Sequence, residues 1–448
     1  MEARFTLKNS EAEIPFTIIE EEAGKIFLFS LFDGVEYKYA LRNEEGLLKL
    51  AEENPFEEEI AIIEERLTGL SSDLLETKSQ GFENSEAFTE TVLPGYGPDD
   101  IYVENKPFSL KQVVDLIDGG DIELTPDFQR NFIWDRTRQS RLIESILLGL
   151  PLPSIYLSQY EDGRLTVVDG LQRLSTIRAF FKDELKLSNL EYLGECNGHN
   201  FSSLEKVLSP LRVRRFGQTQ VMCFVIDYRS PTQLKFDLFR RLNTGGKPLN
   251  NQEIRNCLSR PDVQKVLKDM VDLNSFKDAT GKSVKDARMD AREAALRFIC
   301  FYEKYNPAYP LADYNGDMET TLDQFIDVLN KRNAGELEGY VSLYDNALKV
   351  AYHLFGNYCF RKVTPETLGG RKTPVNKLLM LTFSILLSKH DYDIISSKFD
   401  NGALLEPLAN FIANEPDLFA AVTYGTNVKS KMELSFRAFN KFLNEQIK

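Results

Sequence analysis

The first 75 residues alternate short β-branched and aromatic runs with turn dipeptides. In FTIIEEEAGKIFLFSLFDGVEYKYAL, Ala-Gly and Asp-Gly separate the apolar runs, which is typical of hairpins. The next stretch, GLLKLAEENPFEEEIAIIEERLTGL, has helical apolar spacing and many glutamates. The pattern predicts a small acidic α+β domain over residues 1–75. Its glutamates are expected to form a solvated helix face, with a docking surface for a basic partner as the alternative.

The pattern changes twice more along the chain. Residues 76–105 are polar, with Gly and Pro late in the stretch, and predict a linker. From residue 259 onward the strand signals nearly vanish. Runs such as ARMDAREAALRFICFYEKY, TLDQFIDVLNKR, PVNKLLMLTFSILLSKH and KSKMELSFRAFNKFLNEQI have helical spacing. Residues 259–448 are therefore predicted to form a helical domain.

Residues 106–258, between these two segments, show both the helical period and the two-residue period of strands. SLKQVVDLIDGGDI predicts a short helix that ends at Gly119-Gly120. SIYLSQY, RLTVVDG and QVMCFVIDY predict strands, and TQLKFDLFRRLN predicts a helix. In RTRQSRLIESILLGL the apolar residues share one helical stripe, and Glu144 lies largely off it. The spacing of Asn250 and Glu253 predicts a capping box. The overall prediction is an α+β fold.

Composition narrows the function classes. The 448 residues carry a formal net charge of −14, which argues against a general polyanion binder but leaves room for a local basic groove. The five cysteines are odd in number and lack metal-ligand spacing, so reduced, buried thiols are expected. The start of the sequence lacks a leader pattern, and no apolar run reaches about 18 residues. The expectation is a cytoplasmic protein without a membrane partner.

The turn in VVDGLQRLSTIRAFF, residues 167–181, carries the main candidate chemistry. Gly170 between a strand and a helix lets backbone approach a ligand, and the first helical N–H groups attract an anion. Arg173 adds a planar guanidinium for phosphate, while Asp169 is a candidate for holding Mg²⁺, orienting Arg173 or polarising water. Ser175 and Thr176 add hydroxyls. The structural alternative is a common turn in which Arg173 pairs with a carboxylate.

Two further stretches add similar chemistry. PDFQRNFIWD places Gln129, Arg130 and Trp134, the only tryptophan, in one extended run that is suited to line a cleft. FRRLNTGGKPLNNQEIRN supplies a second phosphate-capable turn before a helix. Its candidate residues are Asn243, Gly245, Gly246 and Lys247. By itself, a stretch of either kind more often has a structural role than a ligand-binding role.

These motifs occur in an order that resembles a known family. PDFQRNFIW, LIESILLGLPLPSIYL, VVDGLQRLSTI and RRLNTGGKPLNNQEIRN resemble the N-terminal domain of GmrSD-type restriction enzymes. The resemblance covers roughly residues 106–258. It implies a ParB/sulfiredoxin-like fold in the central domain, binding and hydrolysis of nucleoside triphosphates, and a role in bacterial defence against phage and foreign DNA.

The family signature Asp-Gly-Gln-Gln-Arg falls on Asp169, Gly170, Gln172 and Arg173, with Leu171 in place of the first Gln. By this resemblance, Asp169, Gln172 and Arg173 would be catalytic, with Asp169 also at the metal. Gln129, Arg130, Gly170 and the hydroxyls and turn residues named above would bind ATP, GTP or CTP with Mg²⁺. Leu171 stands where a related sulfiredoxin turn has its catalytic Cys, so sulfiredoxin chemistry is not expected.

A second departure concerns DNA cleavage. Many family members append an HNH-type nuclease domain, but the three histidines here lie far apart in sequence. Cleavage would then come from a separate nuclease partner or from the ParB-like domain itself, unless the protein does not cut. A methyltransferase is another candidate partner, and a homo-oligomer stays open.

Three functions therefore compete. The first is a nucleotide-hydrolysing defence protein that acts on DNA or on a nuclease partner. The second is a ParB-like DNA or protein adaptor without turnover, in which nucleotide acts as a switch. The third is direct DNA nicking. The candidate DNA-binding residues are Arg138, Arg141, Arg212, Arg214 and Arg215. For RVRRF the alternative is a solvated surface strand.

Overall fold

A computed structural model describes residues 3–8, 12–20, 25–32, 35–44, 47–79, 81–83, 86, 96–124, 134–242, 249–308, 310–370 and 372–447. The protein is 53% helical and 15% strand, with two sheets and a helical C-terminal region. The predicted mixed α+β class is confirmed.

The strands described form two five-stranded sheets. They are β1 (Ala3–Thr6), β2 (Glu13–Glu20), β3 (Ile26–Phe32), β4 (Val35–Glu44), β5 (Leu47–Leu50), β6 (Val103–Ser109), β7 (Ile122–Glu123), β8 (Ile155–Gln159), β9 (Leu165–Asp169) and β10 (Gln220–Ile226).

Among the α-helices described, α1 follows β5 in the chain, α2 to α5 lie among the strands β6 to β10, and the others follow β10. They are α1 (Ile60–Ser79), α2 (Leu110–Gly119), α3 (Arg136–Leu147), α4 (Leu171–Phe181), α5 (Pro210–Gln218), α6 (Thr232–Leu242), α7 (Asn251–Leu258), α8 (Pro261–Asp272), α9 (Asn274–Ala279), α10 (Asp290–Lys304), α11 (Met318–Asn330), α12 (Ala334–Phe355), α13 (Lys377–Leu387), α14 (Tyr392–Lys398), α15 (Leu405–Asn414), α16 (Pro416–Ala421) and α17 (Lys429–Gln446).

The chain divides into two compact units. One is continuous, Pro94–Ser259, and the other joins Met1–Leu93 to Arg260–Lys448. The continuous unit, called the central unit below, includes β6, which begins inside the segment that the sequence pattern predicted as a linker. Phe82, from the same segment, is fully buried in the helical core of the other unit.

In the discontinuous unit, β1 to β5 form an antiparallel sheet in sequence order. Its core contains the stacked rings of Phe5 and Phe56, whose centroids lie 4.6 Å apart. The helix predicted for GLLKLAEENPFEEEIAIIEERLTGL is wrong at its start, because Leu47–Leu50 pairs with β4 and buries Leu48. The helix itself begins at Ile60. Beyond residue 260, the described residues form helices and no strand, which agrees with the predicted pattern.

The sheet of the central unit has the order β6-β10-β8-β9-β7 and is covered by helices on both faces. Neighbouring strand residues alternate between two cores, as the two-residue period of a strand requires. Val167 packs with α2, α3, α4 and α5, whereas Val168 packs with α6 and α7. Because α4 begins two residues after β9 ends, the turn between them lies where this strand leaves the sheet.

Two helix boundaries that were predicted from the sequence are observed in the central unit. The left-handed Gly120 ends α2 at φ 82°, and Asn250 and Glu253 form the predicted capping box at the start of α7. All five cysteines are buried, and none of them forms a disulfide. Among the residues that the structure describes, no helix combines the length and apolar character needed to cross a membrane.

Candidate functional site at the end of β9

The turn between β9 and α4 depends on Gly170. This residue has φ 101°, a left-handed conformation that favours glycine. A Cβ added there would lie 2.2 Å from Cδ1 of Ile155 and 3.2 Å from Nη2 of Arg173. Side-chain capping of α4 is absent at Gly170, so the first N–H groups of the helix have no side-chain acceptor there. At this turn, a glycine that lets a ligand approach the backbone closely lies at a helix N-terminus without a side-chain cap.

Arg173 lies across this turn with a mostly buried side chain. Its Nη2 donates to Oδ2 of Asp169 at 2.6 Å, and its Nη1 donates to the carbonyl oxygen of Pro153. Burial lowers the pKa of the Arg173 guanidinium, and the charge of Asp169 opposes that shift. Only 12% of the Arg173 side chain is exposed, against 30% for Asp169. The structural alternative for Arg173, pairing with a carboxylate, is thus present, and the same pair holds the guanidinium beside the helix N-terminus.

Gln172 connects the turn to another predicted motif. Its Oε1 accepts a hydrogen bond from the backbone N–H of Trp134 at 3.2 Å. The guanidinium of Arg138, one turn along the chain, lies 4.7 Å from the centre of the Trp134 ring. Gln172 therefore holds the backbone at Trp134, two residues before α3 begins.

Three further residues near the start of α4 have different environments. They are Leu171, Ser175 and Thr176. The hydroxyl of Thr176 is buried and donates to the carbonyl oxygen of Gln172 at 2.7 Å, as helical threonines commonly do. The predicted contact between Thr176 and a phosphate stays a prediction. Ser175 is half-buried. Leu171 packs against the core that contains Val167, so the signature position that departs from the family pattern serves packing.

Six predicted nucleotide-binding residues lie outside the described residues. They are Gln129, Arg130, Asn243, Gly245, Gly246 and Lys247. Their assignment stays a prediction.

The predicted DNA-binding arginines are all exposed. Arg138 and Arg141 lie on α3, and Arg141 pairs with Glu191 at 2.7 Å. The alternative of a surface strand for RVRRF is wrong, because this stretch belongs to α5, where Val213 and Phe216 face the core. The helical period turns the remaining side chains outward. They are Arg212, Arg214 and Arg215.

The sequence pattern missed the role of Glu144. Instead of lying on the outer face of α3, its carboxylate is 3% exposed and accepts backbone hydrogen bonds from Glu191, Tyr192 and Leu193 at 3.1, 2.7 and 2.8 Å. Burial by itself would raise the pKa of Glu144, but these three donors hold it below its ordinary value. The only sequence signal for this burial was a glutamate within an apolar stretch, with a loop later in the chain.

The side chains near Asp169 bear on whether this turn suits a divalent cation. Within the described ranges, no group of three or more His, Cys, Asp or Glu side chains could hold a metal ion. Mg²⁺ in nucleotide sites is commonly bound by one or two carboxylates together with the phosphates. Asp169 fits that smaller donor set.

Comparison with known proteins supports the interpretation of this region. A search of curated proteins with the whole chain finds no match. The central segment, residues 112–259, matches the family model described as GmrSD restriction endonuclease, N-terminal domain, which confirms the family that the four sequence motifs indicated.

Proposed function

We propose that the turn between β9 and α4 binds the triphosphate of a nucleotide with Mg²⁺ and supports its hydrolysis. The observation that carries the proposal is the Asp169–Arg173 pair at an uncapped helix N-terminus, where Gly170 leaves no room for a side chain. Helix N-termini and guanidinium groups both favour phosphate. The family match supports a restriction-type defence role for the protein, and nucleotide turnover would power or switch that role.

Each group has a separate task in this proposal. The backbone of Gly170 and the first turn of α4 hold the phosphates. Arg173 keeps three guanidinium N–H groups beyond its hydrogen bonds to Asp169 and Pro153, and these stabilise the phosphate charge. Asp169 holds the cation or orients the attacking water, and Mg²⁺ supplies charge neutralisation. Catalysis of phosphoryl transfer is mostly positioning and electrostatics, so a rigid turn suits the reaction.

The experiment measures binding and hydrolysis of ATP, GTP and CTP with Mg²⁺ by the full chain. Arg173→Ala is expected to abolish turnover and to weaken phosphate binding. Arg178→Ala is the matched control, because Arg178 lies on the same helix and pairs at the surface with Asp118. Unchanged turnover in a folded Arg173→Ala protein would exclude the turn from the site.

Two other functions remain as outcomes of the same experiment. Binding without turnover would favour an adaptor for DNA or protein that nucleotide switches. Metal-dependent nicking of a plasmid, lost in Asp169→Asn, would favour direct nuclease action. For the main proposal, the effector is DNA or a separate nuclease, with exposed arginines on α3 and α5 as the DNA surface.

A further inference from the structure

Strand β6 forms one edge of the sheet in the central unit. Within the described residues, it pairs with β10 on one side and with no strand on the other. Asp227 donates its N–H to the carbonyl oxygen of Tyr102 at 2.9 Å, and at the other end Leu110 donates its N–H to that of Thr219 at 2.9 Å. Hydrogen-bonded pairs alternate along an antiparallel ladder, and the register between these two bonds is unbroken. The N–H and C=O groups of even-numbered β6 residues therefore face β10, and those of odd-numbered residues face away from it.

Before the capping residue Ser109, the outward backbone groups of β6 belong to Val103, Asn105 and Pro107. All three residues are exposed. Pro107 offers a carbonyl but no N–H, so this end of the edge accepts hydrogen bonds and donates none. Exposed sheet edges are templates for pairing with another chain, and proline and charged residues on an edge commonly limit that pairing. The positions of Pro107 and of the charges therefore decide which partner strand β6 admits.

The charges on β6 favour one register for pairing with a second copy of the same strand. The side chains of Glu104 and Lys106 share one face, and their Oε2 and Nζ atoms lie 2.6 Å apart. In a two-fold antiparallel pair, an axis at Glu104 would set two carboxylates opposite each other, and an axis at Lys106 would set two ammonium groups opposite each other. An axis at Asn105 sets each Glu104 opposite a Lys106 of the other copy. Opposite charges across a strand pair stabilise it, and like charges destabilise it.

We propose that β6 pairs antiparallel with β6 of a second copy of this chain, about a two-fold axis at Asn105. In this register each Asn105 N–H donates to the Asn105 carbonyl of the other copy, and each Val103 N–H donates to the Pro107 carbonyl of the other copy. The missing N–H of Pro107 leaves only the Val103 carbonyl without a backbone donor. Glu104 and Lys106 form the non-hydrogen-bonded pairs, in which opposing side chains lie closest. Each charge then has an opposite charge beside it on its own strand and another across the interface.

An apolar strip on the other face of β6 continues across this axis. Val103 and Pro107 share that face with Met222, the register partner of Pro107 on β10. Val103 is 39% exposed, and Met222 is 42% exposed. In the proposed register Val103 lies opposite Pro107 of the second copy, so pairing covers apolar surface that a single copy leaves in water. Pairing of one short strand still buries less than a standard interface, so a weak, concentration-dependent dimer is expected.

The dimer joins two copies of the sheet of the central unit into one continuous sheet. The two-fold axis of an antiparallel strand pair is perpendicular to the sheet, so each face of one copy continues as the same face of the other. Helix α5 packs on the face that carries Glu104, because Val213 and Phe216 share a core with Val225, the register partner of Glu104. The arginines of α5 that are predicted to bind DNA would therefore recur on one face in both copies, which suits the two-fold symmetry of a duplex.

Sedimentation velocity of the whole chain, without nucleotide, tests the dimer. A monomer–dimer equilibrium is expected across the micromolar range. Glu104→Lys sets lysines opposite each other on both sides of the axis and is expected to weaken the dimer roughly 10-fold or more. Glu104→Lys combined with Lys106→Glu exchanges the charges and should restore the wild-type dissociation constant. Glu161→Lys is the matched control, because it makes the same change of charge at an exposed position in the turn between β8 and β9.

Three other outcomes contradict the proposal. A wild-type chain that stays monomeric throughout would mean that Pro107 and the charges of β6 protect this edge from pairing. A dimer that Glu104→Lys leaves unchanged would use another surface. A charge exchange that does not recover the dimer would exclude the register centred on Asn105. Because no nucleotide is present, a failure of triphosphate binding at Asp169 and Arg173 would leave this result unaffected, and the two proposals fail separately.

Discussion

A methyl group added to Gly170 would overlap the side chain of Ile155, with 2.2 Å between Cβ and Cδ1. Gly163, in the turn before β9, has a similar φ of 90° but no atom within 4 Å of an added Cβ. Substitution of Gly163 therefore tests backbone strain alone, and substitution of Gly170 in the same unit tests strain together with steric overlap.

Gly163→Ala is expected to cost about 1–2 kcal/mol, the price of a left-handed conformation for an L-residue. Gly170→Ala should cost about 1–3 kcal/mol more, because the overlap adds to the strain. Denaturant unfolding of the full chain, followed by fluorescence of Trp134, measures both. Trp134 is the only tryptophan and lies in the central unit, so it reports on that unit. Equal costs for the two variants would contradict the overlap.

Asp169→Asn should impair hydrolysis more than nucleotide binding. The amide keeps the shape of the carboxylate and an acceptor for Nη2 of Arg173 but loses the charge that a cation or water needs. Binding constants and single-turnover rates, measured on the same preparation, separate the two effects. Equal losses would show that Asp169 only positions Arg173.

Glu144→Gln should destabilise the central unit by about 1–3 kcal/mol at pH 7, because three backbone N–H groups lose a charged acceptor. The folded-state pKa of Glu144 lies below its ordinary value of 4.5. Its stabilising contribution is therefore present above about pH 4.5 and is lost as the pH falls through the folded-state pKa. The difference in unfolding free energy between wild type and variant should shrink over that acidic range.

Glu191→Gln is the matched control for this pH series. Glu191 carries an exposed ion pair with Arg141 in the loop that Glu144 holds. Such pairs contribute about 0–1 kcal/mol. A cost as large as that of Glu144→Gln would mean that the loop is stabilised by its surface charges and not by the buried carboxylate.

Replacing Arg212, Arg214 and Arg215 together by Ala should weaken DNA binding and flatten its salt dependence. Each lost phosphate contact is expected to reduce the slope of log K against log salt by about 0.9. The measurement is fluorescence anisotropy with labelled duplex DNA between low and moderate salt. Arg42→Ala with Arg437→Ala, both exposed in the other unit, is the control. An unchanged slope in the triple variant would exclude α5 from the DNA surface.

The sequence predicted features that depend on neighbouring residues. The stop of α2 at Gly119-Gly120 and the cap of α7 at Asn250 follow from backbone geometry within one or two turns, and both are observed. The four ordered motifs also located the matched family segment. These signals survive because little outside the local stretch can override them.

The features that the sequence did not predict depend on distant residues. Leu48 joins a strand because β4 offers a partner edge, although its local spacing is helical. Glu144 is buried because a loop nearly fifty residues later supplies its donors. Tyr156 and Phe224 meet only through the parallel pairing of β8 and β10, which no local pattern encodes.

The discontinuous unit has a consequence for synthesis on the ribosome. Phe29, near the start of the chain, packs against Tyr424, and Phe82 packs among helices that follow residue 260. The central unit, Pro94–Ser259, emerges whole before those helices exist. Since domains generally fold as units during translation, it can complete its core first. Phe29 and Phe82 must then wait for partners that come much later in the chain, so a nascent chain that stalls after residue 260 exposes apolar side chains near its beginning and not at its middle.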